Sequence, residues 1–441
     1  MAFANSLSGL IAAGKALDVI GNNIANSQTI GFKSSVARFT NVAAAGKGSG
    51  PADSAASAGV SADNIAQNFE QGRFELTNNP LDMAINGQGF FRLYNAETGK
   101  ISYTRDGQFR LSFDANSNPR LVTRAGLSLT GNLPDFTTDP FGTIDNVPNP
   151  VVITIDPYFP PKASTKVELS INLDPRLAAA SVPFDPDDAT SYNGSTVATV
   201  FDSTGAEHQL RLYFATPGGG NHWDMYTTLD YSPSNPTPVT GPIDVAFDTA
   251  GILATKMPLA ATSYTTAGGE TLSIAIDLRG TNQFGTPLSV NALSQDGYGE
   301  GSLQDGYEFS VQADGHISAR YSNGQRRNVA QVVLANFANP NALINMGENQ
   351  WVANDDPVKG TGTISLGFPK FATEKIAGFQ GNSDPAEGMG SLQGYAREQS
   401  NVDLATELVA LIEQQRNYQA SAQTFKILDQ VLQNLANMRS Q

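Results

Sequence analysis

Three histidines are the residues of this chain best suited to metal or acid–base chemistry, and their placement argues against both. His208, His222 and His316 stand in strand-like or turn contexts with no paired spacing. The chain has no cysteine, which excludes disulfides, thiol nucleophiles and thiolate metal sites. We therefore expect neither a metal site nor a cofactor.

Two acidic segments match a calcium-binding loop only in part. The stretch "DANSNPRLVTRA" begins as Asp-x-Asn-x-Asn at Asp114. It then has Pro119 where the loop needs glycine and Ala125 where it needs a bidentate glutamate. The stretch "FDPDDAT", at 184–190, has no carboxylate at the twelfth position. The first stretch therefore predicts a hairpin turn, and the second an acidic loop.

The remaining candidates for catalysis are weaker still. Gly297, Gly299 and Gly301 are followed by no helix, so they predict no phosphate-binding loop. Arg326 and Arg327 follow a turn and are typical of a solvated strand. The 42 acidic residues leave a glycosidase carboxylate pair open, but no spacing points to one. These patterns favour a protein that is not an enzyme.

The first 25 residues predict an amphipathic helix that must pack closely against another backbone. Apolar residues and two glycines alternate at spacings of four and three, which is typical of a heptad seam. A glycine costs about 1 kcal/mol at a helix site, so two on one seam indicate a close approach. Asn22, Asn23 and Asn26 then compete with the helix, and Gly31 can end it in the left-handed conformation. The seam comprises Phe3, Leu7, Leu10, Gly14, Leu17, Gly21 and Ile24.

The last 42 residues predict a longer helix with the same spacing. No glycine or proline occurs from Ser400 to Gln441. Ser400 or Asn401 is expected to cap the helix, with Asp403 in the first turn. The two terminal helices either pack on a globular core as ordinary amphipathic helices or join the chain ends as a coiled coil. The predicted stripe comprises Leu404, Leu408, Leu411, Gln415, Tyr418, Ala422, Phe425, Leu428, Leu432 and Leu435.

The chain between the helices is β-rich. Segments such as "DMAINGQGFFRLY" and "TVFDSTGAEHQLRLYFA" alternate apolar and polar residues, and Gly315 and Gly324 end turn tripeptides. Residues 43–60 are rich in small residues and predict a linker. We expect an α+β multidomain protein in which two β-rich, barrel-like or sandwich-like domains are inserted between the helices. The expected parts are a helical domain of 1–32 and 395–441, connectors of 33–68 and 376–394, a first β-rich domain of 69–144 and 291–375, and an outer one of 145–290.

The charge balance disfavours two classes of partner. The chain carries 27 basic against 42 acidic residues, a net charge of -15 at pH 7. That field repels nucleic acid and anionic membranes. The N-terminal residues show neither a basic leader nor an unbroken apolar run, so we expect no cleaved signal peptide and no membrane insertion.

Both ends of the chain resemble one protein family. The N-terminal "LSGLIAAGKALDVIGNNIANSQTIGFKSS" and the C-terminal "SNVDLATELVALIEQQRNYQASAQTFKILDQVLQNL" resemble the paired end motifs of the bacterial flagellar axial proteins, the rod and hook family. Internal segments such as "GRFELTNNPLDMAINGQGFFRL" are similar to the hook branch in particular. The proline- and threonine-rich block matches only in patches.

The resemblance implies a mechanical role. Family members build an inner tube from their terminal helices, and a hook subunit polymerises into a curved flexible tube that passes torque from motor and rod to filament. It implies the rod, the hook–filament junction proteins, the hook cap and the flagellar type III export apparatus as partners. The implied location is the extracellular hook attached to the basal body. The implied polymerisation interface is the seam and amide residues of the first helix with Leu404, Leu408, Leu411, Tyr418, Phe425, Leu432 and Leu435.

Two alternatives remain open from the sequence. A rod protein shares both end motifs but is usually shorter and lacks the 145–290 block. A secreted β-rich carbohydrate-binding or carbohydrate-acting protein with helical tails belongs to a different class. The formation of tubes separates the axial family from the second alternative.

Overall fold

The computed structural model places one long helix at each end of a mostly β-stranded chain. It describes residues 2–43, 57–114, 118–137, 139–144, 148–218, 220–303, 308–356, 360–369 and 389–439. Helix α1 is Ala2–Ala25 and helix α2 is Leu404–Arg439. The expected pair of terminal helices around a β-rich body is confirmed. No helix among the described residues is long and apolar enough to span a membrane.

The strands fall into an N-terminal set, a middle set and a C-terminal set. The N-terminal set is β1 Ser35–Ala43, β2 Ser57–Gln67, β3 Phe74–Leu76, β4 Met83–Asn86, β5 Phe90–Tyr94, β6 Ile101–Thr104, β7 Arg110–Phe113, β8 Pro119–Val122, β9 Ser128–Asn132 and β10 Val151–Val152. The middle set is β11 Tyr158–Phe159, β12 Lys166–Asn172, β13 Gly194–Phe201, β14 Glu207–Ala215, β15 His222–Leu229, β16 Thr240–Ala246, β17 Thr262–Thr265, β18 Thr271–Asp277, β19 Ser289–Gln295 and β20 Gly301–Ser302. The C-terminal set is β21 Phe309–Val311, β22 His316–Arg320, β23 Arg326–Val332, β24 Leu334–Phe337, β25 Ile344–Gly347, β26 Gln350–Val352, β27 Ile364–Gly367, β28 Ser391–Gly394 and β29 Ala396–Glu398, with a short 3₁₀ helix at Pro340–Ala342.

The chain divides into two compact units. The first comprises Met1–Asp156, Gly306–Ala319 and Arg326–Gln441, and the second Pro157–Asp305 and Arg320–Gln325. The expected outer domain of 145–290 differs from the second unit at both ends. Strand β10 pairs with β9 of the first unit, whereas β19 pairs with β12 of the second. Strand pairing therefore sets both boundaries later than the composition change suggested.

The first unit is built on one large sheet with an aromatic core. Its main path runs β21-β22-β23-β9-β5-β6-β26-β25. Phe90, Phe337 and Trp351 pack edge to face, with ring centroids 5.5 to 5.8 Å apart, an arrangement that the quadrupole of aromatic rings favours. Trp351 Nε1 donates a 2.7 Å hydrogen bond to Gln67 Oε1, which ties β2 to this core.

The second unit has two four-stranded sheets that share one apolar core. The sheets run β17-β18-β12-β19 and β13-β14-β15-β16. Alternate residues of each central strand point into the core because side chains switch faces at every residue. Examples are Val167, Leu169 and Ile171 on β12 and Leu210, Leu212 and Phe214 on β14, all buried in the same cluster.

The predicted turns are present, but only part of the predicted connectors lies among the described residues. Gly315 and Gly324 adopt φ of +87° and +79° between paired strands, as the turn tripeptides predict. The calcium-like stretch lies in the β7–β8 hairpin, with Asp114 and Asn118 bonded to each other across the turn. Much of the predicted linker at 43–60 and of the connector at 376–394 lies outside the described residues. The described part of 33–68 forms the antiparallel ribbon β1–β2, which contacts α1.

Candidate assembly interface

Helix α1 buries a face that is different from its predicted seam. The apolar residues that it buries are small or branched: Ala12, Ala13, Ala16, Val19 and Ile20. At about 100° per residue they share one side of the helix, roughly opposite the predicted seam. Within one chain, therefore, the heptad pattern does not describe the face that packs.

The predicted seam of α1 lies toward the outside of the single chain. Leu7 is exposed, and Leu10, Leu17 and Ile24 are half-buried. A β-carbon built at Gly14 or Gly21 would meet no atom within 4 Å. For Phe3, only its place in the helical backbone is described. Within one chain, no described residue makes the close backbone approach that these glycines predict. A contact between the seam and a neighbouring subunit therefore stays a prediction.

Helices α1 and α2 run antiparallel in contact with each other. A β-carbon built at Gly9 would lie 3.5 Å from Ser421 Oγ. Near the other end of the contact, Asn23 Nδ2 donates a 2.9 Å hydrogen bond to Glu407 Oε1. Both contacts use the buried side of α1. The two ends of the chain therefore meet, but through a different face from the one that periodicity selects.

Helix α2 is apolar on faces that no described residue covers. The predicted stripe residues Leu404, Leu408 and Tyr418 are exposed, at 42%, 48% and 39%. Leu411 and Phe425 are half-buried on the side of α1, and of Leu432 and Leu435 only the helical backbone is described. A second group of apolar side chains lies roughly opposite the side of α2 that faces α1. The predicted stripe does not include this group, because the group follows a different row along the helix. That group is Val409, Ile412, Ile427 and Val431, all exposed.

The three asparagines after the predicted seam have two different roles. Asn23 is buried, where its amide donates to Ser35 O at 2.8 Å and accepts from Ser35 N at 2.9 Å. These bonds hold the start of β1 against α1. Asn22 and Asn26 bond locally, with Asn26 Nδ2 at 2.9 Å from Asn22 Oδ1. Asn23 is thus used within the chain, whereas a contact of Asn22 and Asn26 with a neighbour stays a prediction.

A buried cluster of charges joins the segment after α1 to the segment before α2. Lys33 Nζ lies 2.6 Å from Glu398 Oε1, and both side chains are fully buried. Arg105 Nη1 lies 3.4 Å from Glu398 Oε2. The backbone amide of Gly72 donates to Glu398 Oε1 at 2.8 Å, and Lys33 Nζ donates to Glu70 O at 2.7 Å. One carboxylate therefore connects four separate stretches of the first unit.

Burial sets the electrostatics of this cluster. Loss of water lowers the pKa of Lys33, and the Glu398 carboxylate opposes that effect. Burial likewise lowers the pKa of Arg105, again against the attraction of Glu398. Two buried cations face one buried carboxylate, so removal of the carboxylate would leave both cations without a counter-charge.

Polar side chains next to the cluster complete the junction. Asn401 accepts from Ser34 N at 2.7 Å and donates to Asn68 O at 2.8 Å. Helix α2 is capped by Asp403 Oδ1, which accepts from Ala405 N at 2.9 Å, so the predicted cap at Ser400 or Asn401 is wrong by two or three positions. Asn401 instead holds the two chain segments together. The hydrogen bond from Ala405 lowers the pKa of Asp403.

Sequence reasoning missed Lys33, Arg105, Glu398 and Asn401 as members of this junction. In the sequence, Lys33 is a single lysine that follows Gly31 and Phe32. A charged residue in an apolar or glycine-rich context is a weak signal of burial, and nothing local identifies its partner 365 positions away. Gly31 does carry the expected positive φ, of +70°, and its amide donates to Glu398 O at 2.8 Å.

The histidines each pair with aspartate instead of gathering into a ligand set. His208 lies between Asp230 Oδ2 at 2.6 Å and Asp202 Oδ2 at 3.2 Å. His222 pairs with Asp244 and His316 with Asp314, both at 2.9 Å. Within the described residues, no three potential ligands lie together in a way that could hold a metal ion.

Comparison with known proteins finds four flagellar family models that match parts of the chain and relatives that match all of it. The matching family models are "Flagella basal body rod protein" at residues 3–33, "Flagellar hook protein FlgE/F/G D1 domain" at 84–175, "Flagellar basal body protein FlaE D2 domain" at 170–298 and "Flagellar basal body rod FlgEFG protein C-terminal" at 392–438. The chain is 38% identical over 442 residues to the flagellar hook protein FlgE of Salmonella typhimurium, with all of both chains covered. The chain belongs to the flagellar hook protein family.

More distant members of the hook family also align along the full chain. The hook protein FlgE of Escherichia coli is 37% identical over 444 residues, with all of both chains covered. That of Borreliella burgdorferi is 27% identical, with 99% of each chain covered. The resemblance read from the end motifs is confirmed. A chain of the hook family is a structural protein and not an enzyme, which removes the carbohydrate-acting alternative.

Proposed function

We propose that this hook-family protein is a subunit of the flagellar hook that polymerises with copies of itself through its terminal helices. The helices form the inner wall of a tube as a coiled-coil layer, and the two β-rich domains lie outside it. The assembled tube bends while it rotates and passes torque from the motor and rod to the filament. Family membership supports this role at the level of the whole chain.

One observation carries the assembly proposal: α2 has apolar side chains on faces that its own chain leaves uncovered. Leu408 and Ile412 are about half exposed and Val409 more so, and Leu404, Ile427 and Val431 are exposed on the same helix. Burial of one leucine contributes about 1.5–3 kcal/mol. Exposed apolar faces of this kind mark association surfaces. A polymer in which neighbouring helices cover both faces would bury them in every subunit.

The open glycines of α1 support the same assembly. Gly14 and Gly21 have free space around them in the single chain, and both lie on the predicted seam. In a packed wall that space admits the backbone of a neighbouring helix. We therefore keep the seam residues Phe3, Leu7, Leu10, Leu17 and Ile24 as contacts between subunits.

The remaining expectations extend the proposal to partners and location. The rod, the hook–filament junction proteins and the hook cap would contact the two ends of the tube. The subunit would leave the cell through the flagellar type III apparatus and act outside it, attached to the basal body. Within the chain, the helical part would be residues 1–32 and 395–441, and the outer β-rich part would be residues 145–290.

A single substitution in α2 tests the assembly proposal. Leu408→Asp changes a side chain that is exposed in the monomer, so the monomer's melting temperature should stay near that of the wild type. In a dry polymer contact the unpaired charge is strongly unfavourable, so tubes should not form. The measurements are thermal melting of the monomer and electron microscopy with sedimentation of polymers.

The control is Glu413→Gln, an exposed position away from the predicted stripe. It should assemble nearly as the wild type does. If Leu408→Asp forms normal tubes yet melts like a core mutant, α2 belongs to a globular domain and the proposed inner wall is wrong.

A further inference from the structure

A cleft of about 870 Å³ opens in the first unit beside the ribbon β1–β2. The ribbon contributes Val36, Arg38, Ala66 and Gln67, and the other walls come from Arg105 and residues 68–71, 87–90, 336–338, 340 and 341. Phe69, Phe90 and Phe337 supply apolar surface, and Asn or Gln occupies six of the lining positions. The cleft thus combines an aromatic wall with many hydrogen-bonding groups.

The cleft presents an unpaired cation on a strongly acidic chain. Its charged lining residues are Arg38, Arg105 and Glu70, and Arg105 is already paired with Glu398. Arg38 is exposed and forms no ion pair among the described residues. The whole chain has a net charge of -15. An unpaired cation on an acidic chain is complementary to carboxylates on the surface of a second copy.

Arg105 adds a second observation, independent of the charge count. Its side chain is almost fully buried, with Cζ 5.2 Å from the centre of the Phe90 ring. The Nη atoms bond to Glu398 and to Gly87 O, but the buried Nε has no hydrogen-bond partner. An unpaired buried donor is unfavourable by about 1–3 kcal/mol, so an acceptor entering the cleft would relieve it.

We propose that this cleft binds a carboxylate-bearing surface segment of a second copy of the chain, with Arg38 as the contact at its mouth. The proposal rests on the polymerisation proposed above and identifies where, outside the helices, one subunit receives its neighbour. The ribbon that lines the cleft also packs on α1. The ribbon thus connects the cleft to α1, the helix whose opposite face is proposed to take part in assembly.

Zero-length cross-linking tests this contact directly. The variant Arg38→Lys keeps the charge and adds an amine that a carbodiimide couples only to a carboxylate in contact. Polymers grown from equal parts of ¹⁴N- and ¹⁵N-labelled variant should yield cross-linked peptides of mixed isotope that join the segment around position 38 to an acidic residue. Cross-links of a single isotope, or none in well-formed polymers, would overturn the proposal.

Charge reversal supplies an independent readout. Arg38→Glu should raise the protein concentration needed for polymerisation about tenfold, with the monomer's melting temperature unchanged. Arg326→Glu reverses an exposed cation that does not line the cleft and should polymerise as the wild type does. Equal effects of the two reversals would overturn the cleft contact. A wild-type chain that forms no polymer would overturn the proposed function and the cleft contact together, whereas the other negative results leave the proposed function intact.

Discussion

Glu398 accepts from two cations and a backbone amide at a point that water does not reach. Charges of this kind are unfavourable to bury, and the paired arrangement is stable only while the set is complete. The bonds of Glu398 link the turn after α1, the loop before β3 and the strand before α2. A residue near the C-terminus thereby holds the N-terminal helix in place relative to the first unit.

Glu398→Gln should destabilise the first unit by about 3–5 kcal/mol, because Lys33 and Arg105 would stay buried without a counter-charge. The measurement is urea unfolding of the monomer. Glu75→Gln provides the comparison, since Glu75 forms a bidentate pair with Arg397 at 3.0 Å in a half-exposed setting. Its loss of stability should be much smaller, and equal losses would show that burial does not govern the Glu398 cluster.

His208 should make the stability of the second unit depend on pH. Burial alone would lower the pKa of His208, but hydrogen bonds and attraction from Asp230 and Asp202 outweigh it, so the pKa is raised above its ordinary value. Asp202 stays ionised, because bonds from Thr204, Ala206 and His208 outweigh its desolvation and lower its pKa to about 2. The stabilisation from protonated His208 is complete below the unfolded pKa, about 6.5.

That stabilisation should be lost as pH rises through the raised folded pKa of His208. The second unit should therefore be more stable at pH 6 than at pH 8, and His208→Gln should remove most of this difference. Urea unfolding followed by fluorescence of Trp223 reports on this unit. His222→Gln, at an exposed pair, should leave the pH dependence unchanged. A slope that persists in His208→Gln would assign the effect to another group.

At the scale of elements, α1 packs one face against its own chain and leaves the opposite face open. The packed face carries alanines, so the ribbon β1–β2 and α2 can approach closely. The open face carries two glycines where alanine would favour the helix. The proposed contact between subunits would account for glycine at these two positions, because it requires room for another backbone.

Gly14→Ala and Gly21→Ala should therefore have opposite effects in two assays. Each should stabilise the monomer by about 0.5–1 kcal/mol, because alanine is the better helix former and its methyl group meets no neighbour. Each should also hinder polymerisation by filling the space that a neighbouring helix needs. Asp18→Ala, an exposed site on the same helix, should improve helix stability without hindering assembly. Normal polymerisation of both glycine variants would mean that the seam is not a close contact.

At the scale of the whole molecule, two units with separate cores share one chain. Each contains one of the chain's two tryptophans, Trp223 in the second unit and Trp351 in the first, and both are buried. Chains of this kind often unfold in more than one step. The fluorescence of these two tryptophans allows the unfolding of each unit to be observed separately.

Leu212→Ala should lower the stability of the second unit by about 2–5 kcal/mol, since it empties space in a fully buried cluster. The effect should be seen in a background of Trp351→Phe, where Trp223 fluorescence reports on the second unit alone. In a background of Trp223→Phe, the transition of Trp351 should stay near its original position. A common shift in both reporters would show that the units unfold as one.

The sequence by itself determined the features that depend on local chemistry. The long run without glycine or proline after Ser400 specified α2, and Gly315 and Gly324 specified tight turns because few other residues adopt a positive φ. The alternation of apolar residues identified strands such as β14. The end motifs identified the family, because they occur as a pair at opposite ends of one chain.

Only the tertiary structure decided which distant residues meet. Lys33 and Glu398 are 365 positions apart, and no periodicity connects them. Strand β19 belongs to the second unit because β12 is its partner, a choice that its own composition does not reveal. The buried face of α1 differs from its heptad seam because a helix with apolar residues on several sides can pack in more than one orientation. The ribbon, α2 and the bonds of Asn23 select the orientation that the fold adopts.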